Sequence, residues 1–132
     1  MIILNYRQHI IFALFVGWWI SLLLNFTTTE TIIYFICIPF GALLPDVDKG
    51  NTKLGRKVKP LSKFINKKVR HRTLTHSLFF ITVLFYSSVI AFGINIISVG
   101  IMVGCVLHIF FDMITPMGVP LAYPFSNRRF RL

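Results

Sequence analysis

Residues 49–72 read KGNTKLGRKVKPLSKFINKKVRHR, and this one stretch holds ten of the chain's 14 Lys and Arg. The other four are Arg7 near the start and Arg128, Arg129 and Arg131 at the end, so the long apolar runs contain none. A net charge of +10 over 132 residues would suit a nucleic-acid binder if the charge were spread over a soluble domain. Here 55% of the residues are hydrophobic, 14% are charged and the mean hydropathy is +0.74, which is the composition of a membrane protein. Basic residues gathered between apolar runs follow the positive-inside rule, and such a loop also attracts anionic headgroups. Membrane lipids are therefore the first partner expected; nucleic acid is not expected.

Working outward from this loop, the chain divides into four apolar segments. The first, about 9–26, has roughly 18 residues, or about 27 Å of helix, close to the thickness of a bilayer core. Its weak basic start could suggest a signal peptide, but Trp18 and Trp19 interrupt it and no small-residue cleavage site follows, so it is expected to remain as an anchor. A polar break, Asn25 to Glu30, precedes the second segment, about 31–44, which contains Pro39 and by length alone could be re-entrant. Re-entry would leave the ten-charge loop opposite Arg7, so a short or broken span is favoured, with Gly41 allowing close packing. The third and fourth segments, about 74–92 and 94–115, are joined by a turn at Gly93 and Asn95. The expected fold is thus all-α: a polytopic, four-helix transmembrane bundle forming a single domain, with both termini and the basic loop 45–72 on the cytoplasmic side of the cell membrane.

Four acids and four histidines complete the ionisable set: Glu30, Asp46, Asp48, Asp112, His9, His71, His76 and His108. With helices placed by hydropathy and charge alone, Glu30 falls on the outer side and the other seven share one depth at the cytoplasmic face. Ionisable groups at such depth are costly and usually face a bundle interior, where a partner or cation offsets the desolvation. Imidazole and carboxylate donors together suit a first-row divalent ion, zinc first, with manganese or iron as alternatives, bound as one or two ions. Cys37 and Cys105 lack metal-motif spacing and read as small buried residues.

His108 and Asp112, four apart, project from one helical face and can approach a common ion, although the same spacing serves a plain hydrogen-bonded pair. Asp46 and Asp48, two apart after a helix end, could straddle an ion or pair with Lys49 or Lys53 on a solvated surface. His71 and His76 would lie about 140° apart on a continuous helix, so they converge only if His71 precedes it, with Thr73 as N-cap. Arg72 has the planar fork to hold a phosphate or carboxylate oxygen. Thr75, Ser77 and Thr115 could orient ligands or simply bond their own backbone. The stretches 115–118 and 122–125 look like a helix stop followed by a chain that folds over the site mouth or merely exits.

In order along the chain, His9, the run Gly41-Ala42-Leu43-Leu44-Pro45-Asp46-Val47-Asp48, and the patterns HRxxTHS from His71 and HxxxDxxTPxG from His108 resemble the YdjM-like family of membrane-bound metal-dependent hydrolases. The two patterns at this separation are specific together, and the likeness extends from His9 to Phe125. The resemblance implies a helical membrane fold, hydrolase activity and metal ligands at His9, Asp46, Asp48, His71, His76, His108 and Asp112. The expected function is a metal-dependent hydrolase acting at the cytoplasmic leaflet on a lipid-linked phosphoester or ester. Arg72 would hold the anionic substrate, and His9 and His71 would serve as ligands or proton-transfer groups. The alternative is a non-catalytic adaptor with a structural metal, docking a cytoplasmic protein or anionic lipid through its basic loop.

Overall fold

A computed structural model describes residues 5–48 and 73–132. Four α-helices account for most of them: α1, Tyr6–Leu23; α2, Thr28–Leu43; α3, Leu78–Phe92; and α4, Ile96–Met113. Among the described residues there are no strands beyond a single bridge between Val119 and Phe130.

Local chemistry sets the helix starts. Asn5 and Gln8 form a reciprocal capping box, which begins α1 a few residues earlier than the apolar run would. Thr27 and Glu30 do the same for α2, so the polar stretch expected as a break becomes the first turn of the helix. Pro39 is accommodated inside α2, which then tightens into a 3-10 turn, Leu44–Asp48. Thr28–Val47 is therefore a continuous helical segment of 20 residues, long and apolar enough to cross a membrane, and its length gives no argument for re-entry. Ile96–Met113 is the second such segment, and α3 is a shorter apolar helix of 15 residues. The turn between α3 and α4 falls where expected, with Gly93 at a φ of +78° and Asn95 capping α4.

The cap of α3 corrects the expectation at Thr73. Ser77 is the N-cap, its hydroxyl accepting from Phe80 N and donating to Leu74 O, so residues 73–77 form a turn that precedes the helix. His76 consequently lies before the helix rather than on it, and angular spacing along a helix does not govern its position.

Packing centres on α2 and α4, which cross at Gly41, Gly100 and Gly104. A Cβ at Gly41 would overlap the Ile101 carbonyl, and one at Gly104 would overlap the Ile38 carbonyl and Ala42 N, so the two backbones are in direct contact there. Helix α1 covers both through Ala13, which joins Tyr34, Ile38 and Ala42 in one buried cluster. Helix α3 packs chiefly on α4, where Phe80, Ile81 and Leu84 meet Cys105, Ile109 and Val119. After α4 the chain turns back and docks on the same end of the bundle. Leu78 N donates to Leu121 O, Val119 and Phe130 exchange backbone hydrogen bonds, and Leu132 N donates to Met113 O.

The distribution of side chains is inverted relative to a water-soluble domain. Ile11, Phe15, Trp18, Trp19, Ile36, Phe40, Tyr86 and Ile90 are exposed, whereas His9, Asp46, His76, His108 and Asp112 are buried. Lipid is the solvent that rewards this arrangement, since it accepts apolar faces and excludes unpaired polar groups.

Candidate metal centre

Four separate elements deliver the five buried ionisable side chains to one point. His9 comes from the second turn of α1, Asp46 from the 3-10 turn, His76 from the turn before α3, and His108 with Asp112 from one face of α4. The Asp112 carboxylate is the hub: Oδ1 lies 3.5 Å from His9 Nε2, and Oδ2 lies 3.0 Å from His76 Nε2 and 3.6 Å from His108 Nε2. Asp46 Oδ1 is 3.9 Å from His108 Nε2. The rings of His9 and His108 stack at 3.9 Å, and His76 meets His108 edge-on at 5.3 Å.

The tautomer of His108 follows from its partner. Nδ1 lies 2.6 Å from the Ala42 carbonyl, which can only accept, so Nδ1 carries the proton and donates. Ala42 lies in the last turn of α2, so the bond ties the His108 ring of α4 to that part of α2. The Nε2 lone pair of His108 therefore faces the oxygens of Asp46 and Asp112. Two acceptors so disposed repel unless a cation or a further proton lies between them. Thr75 Oγ1 stands 3.0 Å from His76 Nδ1, so that nitrogen too is engaged away from the carboxylates. Burial, the largest influence, holds the His76 pKa below the ordinary imidazole value, against the opposing effect of Asp112.

The histidine–aspartate contacts are close. His76 Nε2 and His108 Nε2 are both buried and lack an aligned hydrogen-bond partner, although a carboxylate oxygen stands within 3.0 Å of the first. Two ligands of a tetrahedral ion bound at about 2.0–2.1 Å sit roughly 3.3 Å apart. The observed separations of 3.0–3.9 Å are of that size. Ligand-capable atoms group within 4.8 Å as His9, His108 and Asp112, and as Asp46, His76 and His108. The donor set fits a divalent ion.

Of the residues expected at the site, these five are brought together. Asp48 closes the 3-10 turn, but its side chain, like His71 and Arg72, lies outside the described residues. Of the two roles open to these hydroxyls, Thr75 contacts the His76 ring, whereas Ser77 and Thr115 bond the backbone at Leu74 and Asp112. Sequence reading missed the Ala42 carbonyl and the Gly100–Gly104 pair. The latter carries a signal, since Gly100 and Gly104 form a GxxxG spacing in an apolar run.

Fold and centre together define a helical membrane protein with a buried histidine–aspartate cluster able to hold a metal ion. The family model for the YdjM inner membrane protein matches residues 4–132, and the chain belongs to that family. It is 39% identical over 92 residues to the uncharacterized protein YvsG of Bacillus subtilis (strain 168), covering 70% of this chain and 57% of that one. It is 41% identical over 95 residues to the inner membrane protein YdjM of Escherichia coli (strain K12), covering 68% of this chain and 48% of the relative. The Shigella flexneri YdjM matches with the same figures. The chain thus spans about half the length of these curated relatives. No solved structure shows a significant match.

Proposed function

We propose that this protein is a metal-dependent hydrolase working at the cytoplasmic leaflet of a membrane it crosses four times, on a phosphoester or ester of a membrane lipid. The observation carrying this reading is the His108 pair of contacts: Nδ1 is committed to Ala42 O while Nε2 faces two carboxylates with no aligned partner. His9, Asp46, His76, His108 and Asp112 would hold the ion, with Asp48 and His71 as further candidates. One or two ions are compatible with five donors, one more than a tetrahedral ion takes, and zinc stands first because such sites bind it more tightly than manganese or iron. When bound, such an ion supplies Lewis-acid activation of water and of a phosphoryl or carbonyl oxygen.

The protein's own groups supply the rest. Asp112 spans the imidazoles and orients them, and the His108–Ala42 bond holds the central ring in the ligating tautomer. On this reading His9 and His71 would move protons, and Arg72 would hold an anionic substrate oxygen. Positive-inside reasoning puts Arg7, the basic loop and the Arg-rich end at the cytoplasmic face.

A second reading has its own support, because the donors come from four different elements and an ion among them would tie the bundle together. In that case the protein is an adaptor that docks a cytoplasmic protein or anionic lipid through its basic loop. Metal analysis of the purified, zinc-repleted protein tests the shared premise; less than about one equivalent defeats both readings. Asp46→Ala and His108→Ala then separate them. Loss of turnover of a phospholipid, polyprenyl phosphate or acyl ester with the fold intact identifies an enzyme. Loss of the fold, with the parent protein turning over none of these, identifies a structural site.

A further inference from the structure

An apolar groove of about 360 Å³ runs along the outside of the bundle between α1 and α4, lined by Gln8, Ile11, Phe12, Phe15 and Phe111. It is open to the surroundings: Ile11 and Phe15 are 66% and 65% exposed. Its length follows α1 from Gln8 to Phe15, two helical turns or about 10 Å. Only one end is polar, where Gln8 lies next to the exposed Arg7. Its inner wall is Phe111, which stacks on Phe12 at 4.2 Å and presents an edge to the His9 ring at 5.5 Å. A single aromatic side chain thus borders both the groove and the metal centre.

We infer that this groove seats one acyl chain of an anionic phospholipid drawn sideways from the bilayer, placing the lipid's polar linkage beside His9. The inference deepens the proposed hydrolase reading and rests on it for the meaning of the placement. Three features select this occupant. The lining is apolar along its length, and the surrounding solvent is lipid. The groove runs with the helix axis from a polar end inward, as an acyl chain runs from its headgroup. The cation at that polar end complements an anionic headgroup. Among the described residues, α3 packs chiefly on α4 and no described helix lies over this flank, so entry displaces none of them.

The full chain in phosphatidylcholine nanodiscs, doped with phosphatidylglycerol bearing a diazirine in one acyl chain, provides the test. Photolabelling at Ile11, Phe12, Phe15 and Phe111 should saturate with probe and be displaced by unlabelled phosphatidylglycerol. Labelling at Ile32 and Ile36, on the exposed face of α2, should instead rise in proportion to probe. Ile11→Trp fills the groove, and it should reduce groove labelling to the Ile32 level while zinc content stays as in the parent protein. Labelling of the parent that never saturates, or that is no stronger in the groove than on α2, overturns the inference even if zinc is bound. Protein–protein cross-links through Ile11 assign the groove to a second copy and overturn it too. Saturable groove labelling without bound zinc supports the lipid seat and removes the metal reading instead, so the two failures are distinguishable.

Discussion

At the residue scale, the site is organised by what His76 and His108 do with their second ring nitrogens. Thr75→Val keeps the shape of the side chain but removes the hydroxyl beside His76 Nδ1, and should weaken zinc affinity by about 10–100-fold, read by competition with a chelating dye. Asp112→Asn leaves the hub in place with half its ligating capacity and no charge, and the purified variant should lose stoichiometric zinc by elemental analysis. Acidity acts through His76. Burial lowers its pKa in the folded protein, so between that lowered value and the ordinary value of about 6.5 the unfolded state binds more protons than the folded one. The contribution is therefore unfavourable below about 6.5 and absent above it, and the Tm of the metal-free protein in detergent should fall as pH drops below that value. A Tm that rises on acidification would contradict this assignment. Residue types and their gathering at one end were legible in the sequence, because hydropathy and charge place ionisable groups by depth. The Ala42 carbonyl was not, because a main-chain oxygen has no residue identity to read, and its role depends on where α4 passes α2.

At the scale of elements, the decisive contact is the backbone crossing of α2 and α4. Gly104→Ala forces a methyl group against the Ile38 carbonyl and Ala42 N, and the helices must separate or rotate. Such overpacking costs about 1–3 kcal/mol, which thermal or denaturant unfolding in detergent would register. The same change moves His108, one turn further along, away from Ala42 O, so zinc affinity should fall with stability. Gly93→Ala offers a contrast. No atom lies near its added Cβ, so its cost is confined to the positive φ at that turn. Most of the helical pattern could be read in advance: four apolar segments, the turn at Gly93 and Asn95, and the polar stretch before α2. The ends were displaced where capping side chains outweighed hydropathy, as at Asn5, Thr27 and Ser77, and where α2 extended into a 3-10 turn beyond its apolar run.

For the whole molecule, an apolar exterior around a buried histidine–aspartate cluster implies that the bilayer, not water, keeps the bundle in register. The proposed four-crossing arrangement predicts that Asn5→Cys and Arg128→Cys react with a membrane-impermeant maleimide from one side of sealed vesicles, and Asn25→Cys and Ile94→Cys from the other. Reaction of Asn25→Cys on the same side as Asn5→Cys would rule the arrangement out. Cys37 and Cys105 are buried within the bundle and should contribute little background. The five donors also bear on how the protein is made. A nascent chain that has emerged as far as Phe92 carries His9, Asp46 and His76 but neither member of the α4 pair, and those three alone leave out the hub carboxylate. On the proposed metal reading, loading would be a late event in biosynthesis, after α4 has been inserted and has closed against α2. Cells starved of the ion would accumulate chains that are fully inserted yet immature.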